Sequence, residues 1–264
     1  MNRGQKLARI ARAEKHARLD RLIAGCYMDD SNAQLRGCSV GCDAIDIQIM
    51  DDVEIGDLVD DDCHKIVAEH DGTPEWLEHV RDAVFEGLPA DERHWWHVEV
   101  AKCLPAVDDW VPYYHRCCIV FLEESLSHQH CWHGTHKQVV VDAIAAVIEL
   151  HRSESTDKAV WSAAEAAAKS ASQIALVAAW HARRVARSAV DSAGDSAGIS
   201  AAQAAVQAAT DPFGSTARYA RQIALSAVNS AVNSAVNSAG ISAGISAAFK
   251  TIAEKLILEF ARPQ

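Results

Sequence analysis

No Gly-rich phosphate loop, Gly-x-Ser-x-Gly elbow or His-Glu-x-x-His helix occurs in the chain, which removes the P-loop, α/β-hydrolase and zincin readings. No apolar run of signal-peptide length follows the basic residues at the start, so the expectation is a cytoplasmic protein. None of the eight cysteines forms a Cys-x-x-Cys pair, and without a leader they point to reduced thiols instead of a disulfide framework. Such thiols are buried small hydrophobes, metal ligands or nucleophiles. Charge is missing altogether between Gln222 and Phe249, a stretch long enough for a membrane span of about 20 residues. A Ser in every four-residue word, with Asn229, Asn233 and Asn237, makes it a poor partner for hydrocarbon, and membrane insertion is not expected.

What the chain does have is an uneven distribution of charge. The formal net charge is -11, but residues 1–27 carry seven Lys or Arg against two acids and residues 28–111 carry five against 22. The basic set (Arg3, Lys6, Arg9, Arg12, Lys15, Arg18, Arg21) is interleaved with Leu7, Ile10, Leu22 and Ile23. It reads as a basic surface helix over 1–27 that neutralises the acidic segment after it, and direct nucleic-acid binding is not expected. Hydrophobic residues at 49% are enough for a real core.

The C-terminal part, 153–264, is thin in side chain. Tetrads of Ser, Ala, Val, Gly, Asn and Ile run from Ser188 to Ala209 and again from Ser226 to Phe249, separated by Thr210–Ser215 with its Pro212 and Gly214. Alanine is the best helix former, and a Pro-Gly break flanked by Asp and Ser stops one helix and starts another. The expected product is a long Ala/Ser-rich antiparallel helical hairpin with its turn at 210–215. A four-residue period advances each position by about 40° per repeat on an α-helix, so smallness, not a stripe, is what every turn shares. Small side chains let helix backbones approach closely. Ala-rich words disfavour a β-solenoid.

The chemistry-bearing residues collect in the predicted head, 28–152. Thr73–Pro89 carries Trp76, Leu77, Val80, Val84 and Phe85 at helical spacing, with Thr73 as the expected cap and Pro74 at the first helical position. Lys137–His151 is a second amphipathic helix, and Cys117–Glu124 reads as a buried helix. Asp43–Asp62 alternates apolar and acidic residues, which suits a half-exposed strand or an acidic loop. Cys38 and Cys42, with Cys63 and His64, offer soft donors for a zinc ion; a second candidate set is His128, His130, Cys131, His133 and His136. Buried structural thiols compete with the first set and a surface connector with the second, so no cofactor is expected, zinc being the one candidate. Cys38 or Cys42 with His64 is the candidate thiol–imidazole pair for catalysis, which needs a fold that brings them together.

Arg36–Cys42 (RGCSVGC), His64, the helix PEWLEHVRDAVFEGLP and the alanine-rich tail together resemble a family of uncharacterised prokaryotic and phage proteins. These share a Gly-Cys-x-Val-Gly-Cys motif, a helix ending in Phe-Glu-Gly-Leu-Pro and an alanine repeat. The matching residues are Cys38, Cys42, His64, Pro74, Leu77, Asp82, Phe85, Glu86, Gly87, Leu88 and Pro89, while Cys63 stands where the family has Asp. The resemblance implies a bacterial or phage-infected cytoplasm and a mobile-element context. The expectation is therefore a mainly α protein, a compact helical head with an acidic surface plus the hairpin, acting without catalysis as an interaction or scaffold protein that binds a host or viral protein or itself. Two alternatives stand: a thiol- or zinc-dependent enzyme using Cys38, Cys42 and His64, and an acidic DNA mimic that inhibits a nucleic-acid-binding protein.

Overall fold

The computed structural model describes residues 1–29, 35–54, 63–127, 137–185 and 241–263. The described residues are helical, with only isolated bridges (Leu22 with Gly37, Asp29 with Arg36) in place of strands. The mainly α expectation holds. The turn at 210–215 and most of the hairpin lie outside the described residues.

Residues 1–110 with 253–264 form one compact unit and 111–252 another. This division does not follow the expected boundaries at 27/28 and 152/153. In the first unit, α1 (Arg3–Arg18) packs on α5 (Ala90–Cys103), α2 (Ser39–Met50) and α3 (Cys63–Asp71), so the basic segment is part of the head's own core. α4 (Glu75–Gly87) packs against α2, α3 and α5.

Local chemistry explains where these helices begin. Asn2 caps α1 by accepting from the Gln5 amide, and the Gln5 side chain accepts in return from the Asn2 amide. Lys15, His16 and Arg18 fall in the last turn, where cations complement the helix dipole. On α4 the residue with cap geometry is Pro74, and the Thr73 hydroxyl donates to Glu78 Oε1 (2.7 Å) instead of capping the helix. The apolar face predicted for it is buried as expected: Trp76, Leu77, Val80, Val84 and Phe85 are all in the core, each large apolar side chain contributing about 1.5–3 kcal/mol relative to exposure.

Two expectations in this unit are corrected. The basic helix is not a solvated face: Arg9 and His16 are fully buried and Arg12 nearly so, while the apolar Leu7 beside them is 59% exposed. The first part of Asp43–Asp62, through Met50, is neither strand nor acidic loop, since residues 39–50 form α2 and Ser39 to Gln48 are buried without exception, while residues 55–62 lie outside the described residues.

The second unit contains α6 (Val111–Ser127), which includes the apolar run Cys117–Glu124, α7 (Lys137–Arg152) and α8 (Lys158–Val185). α7 packs on both α6 and α8. On α8 the buried positions are Trp161, Ala164, Ala168 and Ala171, a 3-4-3 spacing that keeps one narrow seam facing a neighbour. The Trp161 indole donates to the Ser155 carbonyl (2.7 Å), fixing the start of the helix. The last helix, α9 (Ile241–Ala261), gives residues 241–252 to the second unit and the rest to the first, with Ile252, Ala253, Leu256 and Phe260 buried. No helix among the described residues is long and apolar enough to cross a membrane.

Candidate functional site

The Gly-Cys-x-Val-Gly-Cys motif is built around a close crossing of backbones. A Cβ added at Gly37 or Gly41 would meet the Tyr27 carbonyl oxygen at 2.2 or 2.0 Å, so the chain at Tyr27 lies against the start of α2 where a side chain has no room. The Cys38 amide donates to the Cys26 carbonyl (2.8 Å), which ties the same two stretches together.

The two motif cysteines have different jobs. Cys42 is fully buried, and its thiol donates to the carbonyls of Arg21 (3.3 Å) and Gly37 (3.4 Å); burial pushes it up to about 12. Cys38 is the cap of α2, its sulfur accepting from the Gly41 amide (3.3 Å). Burial and the charge of Asp82 push the Cys38 thiol far above its usual range, the reverse of what a thiolate nucleophile needs.

Around Cys38 the fold gathers side chains from three helices. Asp82 and Glu86 are one turn apart on α4, and Cys38 Sγ lies with one oxygen of each within a mutual 4.8 Å. His64, the second residue of α3, places Nε2 3.4 Å from Asp82 Oδ2. Its ring is stacked on His79 (centroids 3.8 Å apart) and meets the edge of Tyr27 (5.5 Å). Glu86 Oε2 accepts from the Gly25 amide (2.8 Å), and burial together with Asp82 pushes its carboxyl up. The structure thus brings Cys38 and His64 to one carboxylate. It leaves Cys42 out, because that thiol is spent on two carbonyls, and the donors gathered with Cys38 are Asp82 and Glu86 in place of Cys63. Cys63 is buried at the start of α3. His128, His130, Cys131, His133 and His136 lie outside the described residues.

Beside this corner runs a buried ion network that sequence reasoning missed. Arg9 forms a two-pronged pair with Glu78 (2.9 and 2.8 Å), Arg12 pairs with Asp71 (2.6 and 2.7 Å), and Arg81 bridges Asp43 (2.5 Å) and Glu78 (3.1 Å). Arg21 holds Asp46 (2.6 Å), which also receives His16 (3.1 Å) and the half-exposed Lys15 (2.7 Å). Against the upward push of burial, hydrogen bonds from His16, Arg21 and Lys15 hold the Asp46 carboxyl well below the usual carboxylate range. Arg9 and Arg12 do the same for Asp71. Four buried guanidinium groups face four buried carboxylates, so the charges cancel without any histidine. From His16 a chain continues through His97 (3.2 Å) to the Ser39 hydroxyl (2.8 Å from His97 Nδ1). Burial drives His97 well down, which keeps it neutral. His16, Asp43 and His97 also form a three-donor group, but one sealed among arginines.

A groove of about 780 Å³ opens along α1 and the end of α2, lined by Ala8, Ala11, Leu19, Ile49 and Met50 with Arg12, Lys15 and Arg21. Leu19, Ile49 and Met50 are among the most exposed large apolar residues described.

The one trace of the network in the residues is spacing: Arg9, Arg12 and His16 share one face of α1, as Asp43 with Asp46 and Glu78 with Arg81 do on theirs, a pattern that a solvated face shows equally. No family model, curated protein or solved structure matches the chain.

Proposed function

We propose that this is a non-enzymatic interaction protein of a phage or mobile element, in which the alanine-rich segment mediates assembly. The observation that carries the reading is the seam of α8, where Trp161, Ala164, Ala168 and Ala171 are buried at 3-4-3 spacing. It is the described beginning of the alanine-rich composition, and there small side chains make a helix–helix contact. The tetrads from Ser188 to Phe249 repeat the same residue types and offer little else to bind with. The exposed apolar groove rimmed by Leu19, Ile49 and Met50 supports a protein partner, since clustered surface hydrophobes of this kind mark interaction sites. The environment of the two thiols argues in the same direction: Cys42 is occupied by carbonyls and Cys38 is held protonated, so neither is poised as a nucleophile.

The DNA-mimic alternative loses part of its basis, because Asp43, Asp46, Asp71 and Glu78 are turned inward onto arginines and present no charge to a partner. The test is the mass in solution of the full chain and of a variant with Ala235→Leu and Ala239→Leu. The expected result is a defined oligomer that dissociates in the variant, whose backbones can no longer approach. A monomer in both cases removes assembly from the reading.

A further inference from the structure

We propose that Cys38, His64, Asp82 and Glu86 form a binding site for a divalent transition metal, zinc being the best match. This goes beyond the interaction role and does not depend on it.

The donors are gathered and only partly satisfied: Cys38 accepts from the Gly41 amide and Glu86 from the Gly25 amide, but His64 and Asp82 each keep an atom open. His64 is 8% exposed and Asp82 9%, yet His64 Nε2 and Asp82 Oδ1 have no hydrogen-bond partner. A buried polar atom left in this state costs about 1–3 kcal/mol, and elsewhere in the same unit the buried carboxylates are paired with arginine. Among the described residues no Lys or Arg forms an ion pair with Asp82 or Glu86. Two carboxylates and a thiol within a mutual 4.8 Å, with the imidazole of His64 beside Asp82, is an arrangement a cation resolves: it supplies the missing charge and takes the lone pair left open on Asp82 Oδ1. The spacing agrees. Ligands at zinc's usual bond lengths of about 2.0–2.3 Å sit about 3.3–3.8 Å from one another around a tetrahedron. The Cys38, Asp82 and Glu86 donors lie within 4.8 Å of each other, so shifts below about 1.5 Å bring these three onto one ion, and His64 Nε2, 3.4 Å from Asp82 Oδ2, is the imidazole placed to complete the shell from the Asp82 side.

The donor types select the ion. One thiolate and one imidazole disfavour magnesium and calcium, which prefer all-oxygen shells, and suit zinc. Three helices contribute, so a bound ion cross-links the starts of α2 and α3 to α4. Binding replaces the Cys38 S–H bond by an S–metal bond and releases the proton to solvent, which makes affinity rise with pH.

The experiment uses the full chain, stripped with chelator and titrated with zinc, and with cobalt(II) as a spectroscopic stand-in. One equivalent is expected on the Cys38 cluster, with a sulfur-to-cobalt absorption band that Cys38→Ser abolishes and Cys42→Ser keeps. Glu86→Gln, at a half-buried position that tolerates the change, should weaken zinc at least tenfold while circular dichroism stays unchanged, so a folding failure of Cys38→Ser does not decide the matter. Absence of binding overturns the proposal. So does a band that survives Cys38→Ser, or one lost on Cys131→Ser, which assigns the metal to the histidine-rich segment instead.

Discussion

The two compact units are both helical, yet they hold their helices together by different means. The first fastens α1 to α2, α3 and α4 through buried arginine–carboxylate pairs. In the second, the charged pairs of Arg152 with Glu123 and Glu149, and of Lys169 with Glu165, sit at the surface, and apart from the buried Glu124 and Ser125 on α6 the core is aliphatic, aromatic, cysteine and alanine. Its buried His115 and His151 share a single hydrogen bond between their Nδ1 atoms (2.8 Å), which requires that one nitrogen donate and the other accept; burial pushes His115 down accordingly. Surface pairs are worth about 0–1 kcal/mol and are screened by salt. Buried pairs recover little net stability over apolar residues of equal size, but each forbids any helix arrangement that separates its partners. The difference is between a core selected by volume and a core selected by charge register.

The sharpest way to break that contrast is to orphan one charge. Arg9→Met leaves Glu78 buried against Arg81 and Thr73 alone and should cost about 3–5 kcal/mol in urea unfolding. The double variant Arg9→Met, Glu78→Leu should regain most of that loss, because Arg12 still holds Asp71 and Arg81 still holds Asp43. A double variant no better than the single shows that the pair itself, not the orphaned charge, carries the stability.

In the second unit the corresponding lesion is one of volume. Ala168→Leu at the fully buried centre of the α8 seam should cost about 1–3 kcal/mol by overpacking, with no dependence on salt. A neutral or stabilising result shows slack between α7 and α8 that the seam argument excludes.

A smaller effect, with the same sign in both units, is a dependence on pH. His97 stays neutral in the folded first unit, whereas its unfolded counterpart takes up a proton below about pH 6.5. The unfolded state then binds more protons, so stability falls as pH drops from 6.5 toward the lower folded value, by up to about 1.4 kcal/mol per pH unit. Asp46 and Asp71 act later with the same sign: their stabilisation is complete above the unfolded carboxylate range near pH 4 and is lost as pH falls through their lower folded values. Urea midpoints measured from pH 7.5 to 5 should fall for the native chain and fall less steeply for His97→Gln, His115 keeping the remainder; an unchanged slope shows that His97 is not a group responsible.

Much of the helical framework was readable in the residues, because amphipathic spacing is a local property. Trp76, Leu77, Val80, Val84 and Phe85 gave α4, and Lys137–His151 gave α7 to within a residue. The ion network was not readable, since helical spacing of Arg9, Arg12 and His16 looks the same whether the face meets water or four carboxylates from other helices. Which face is covered is decided by α2, α3 and α4, far along the chain. The candidate site was half visible for a related reason. Cys38 and His64 are chemically conspicuous, and Asp82 and Glu86 stand among the motif residues, but they are two acids among 22 and only the packing of α4 against the start of α2 shows that they meet Cys38. The pattern over Asp43–Met50 misled because alternation over a few residues is compatible with a helix buried on all sides, which is what residues 39–48 are.

The crossing of the Tyr27 carbonyl over Gly37 and Gly41 bears on how this chain can vary over generations. With two positions filled by a neighbouring peptide group instead of side chains, neither can drift even to alanine unless the overlying stretch shifts by more than an ångström at the same time. Those glycines and the short path from Leu22 to Asp29 therefore behave as one inherited unit, and homologous chains that lose one glycine should show a lengthened or rerouted segment before α2.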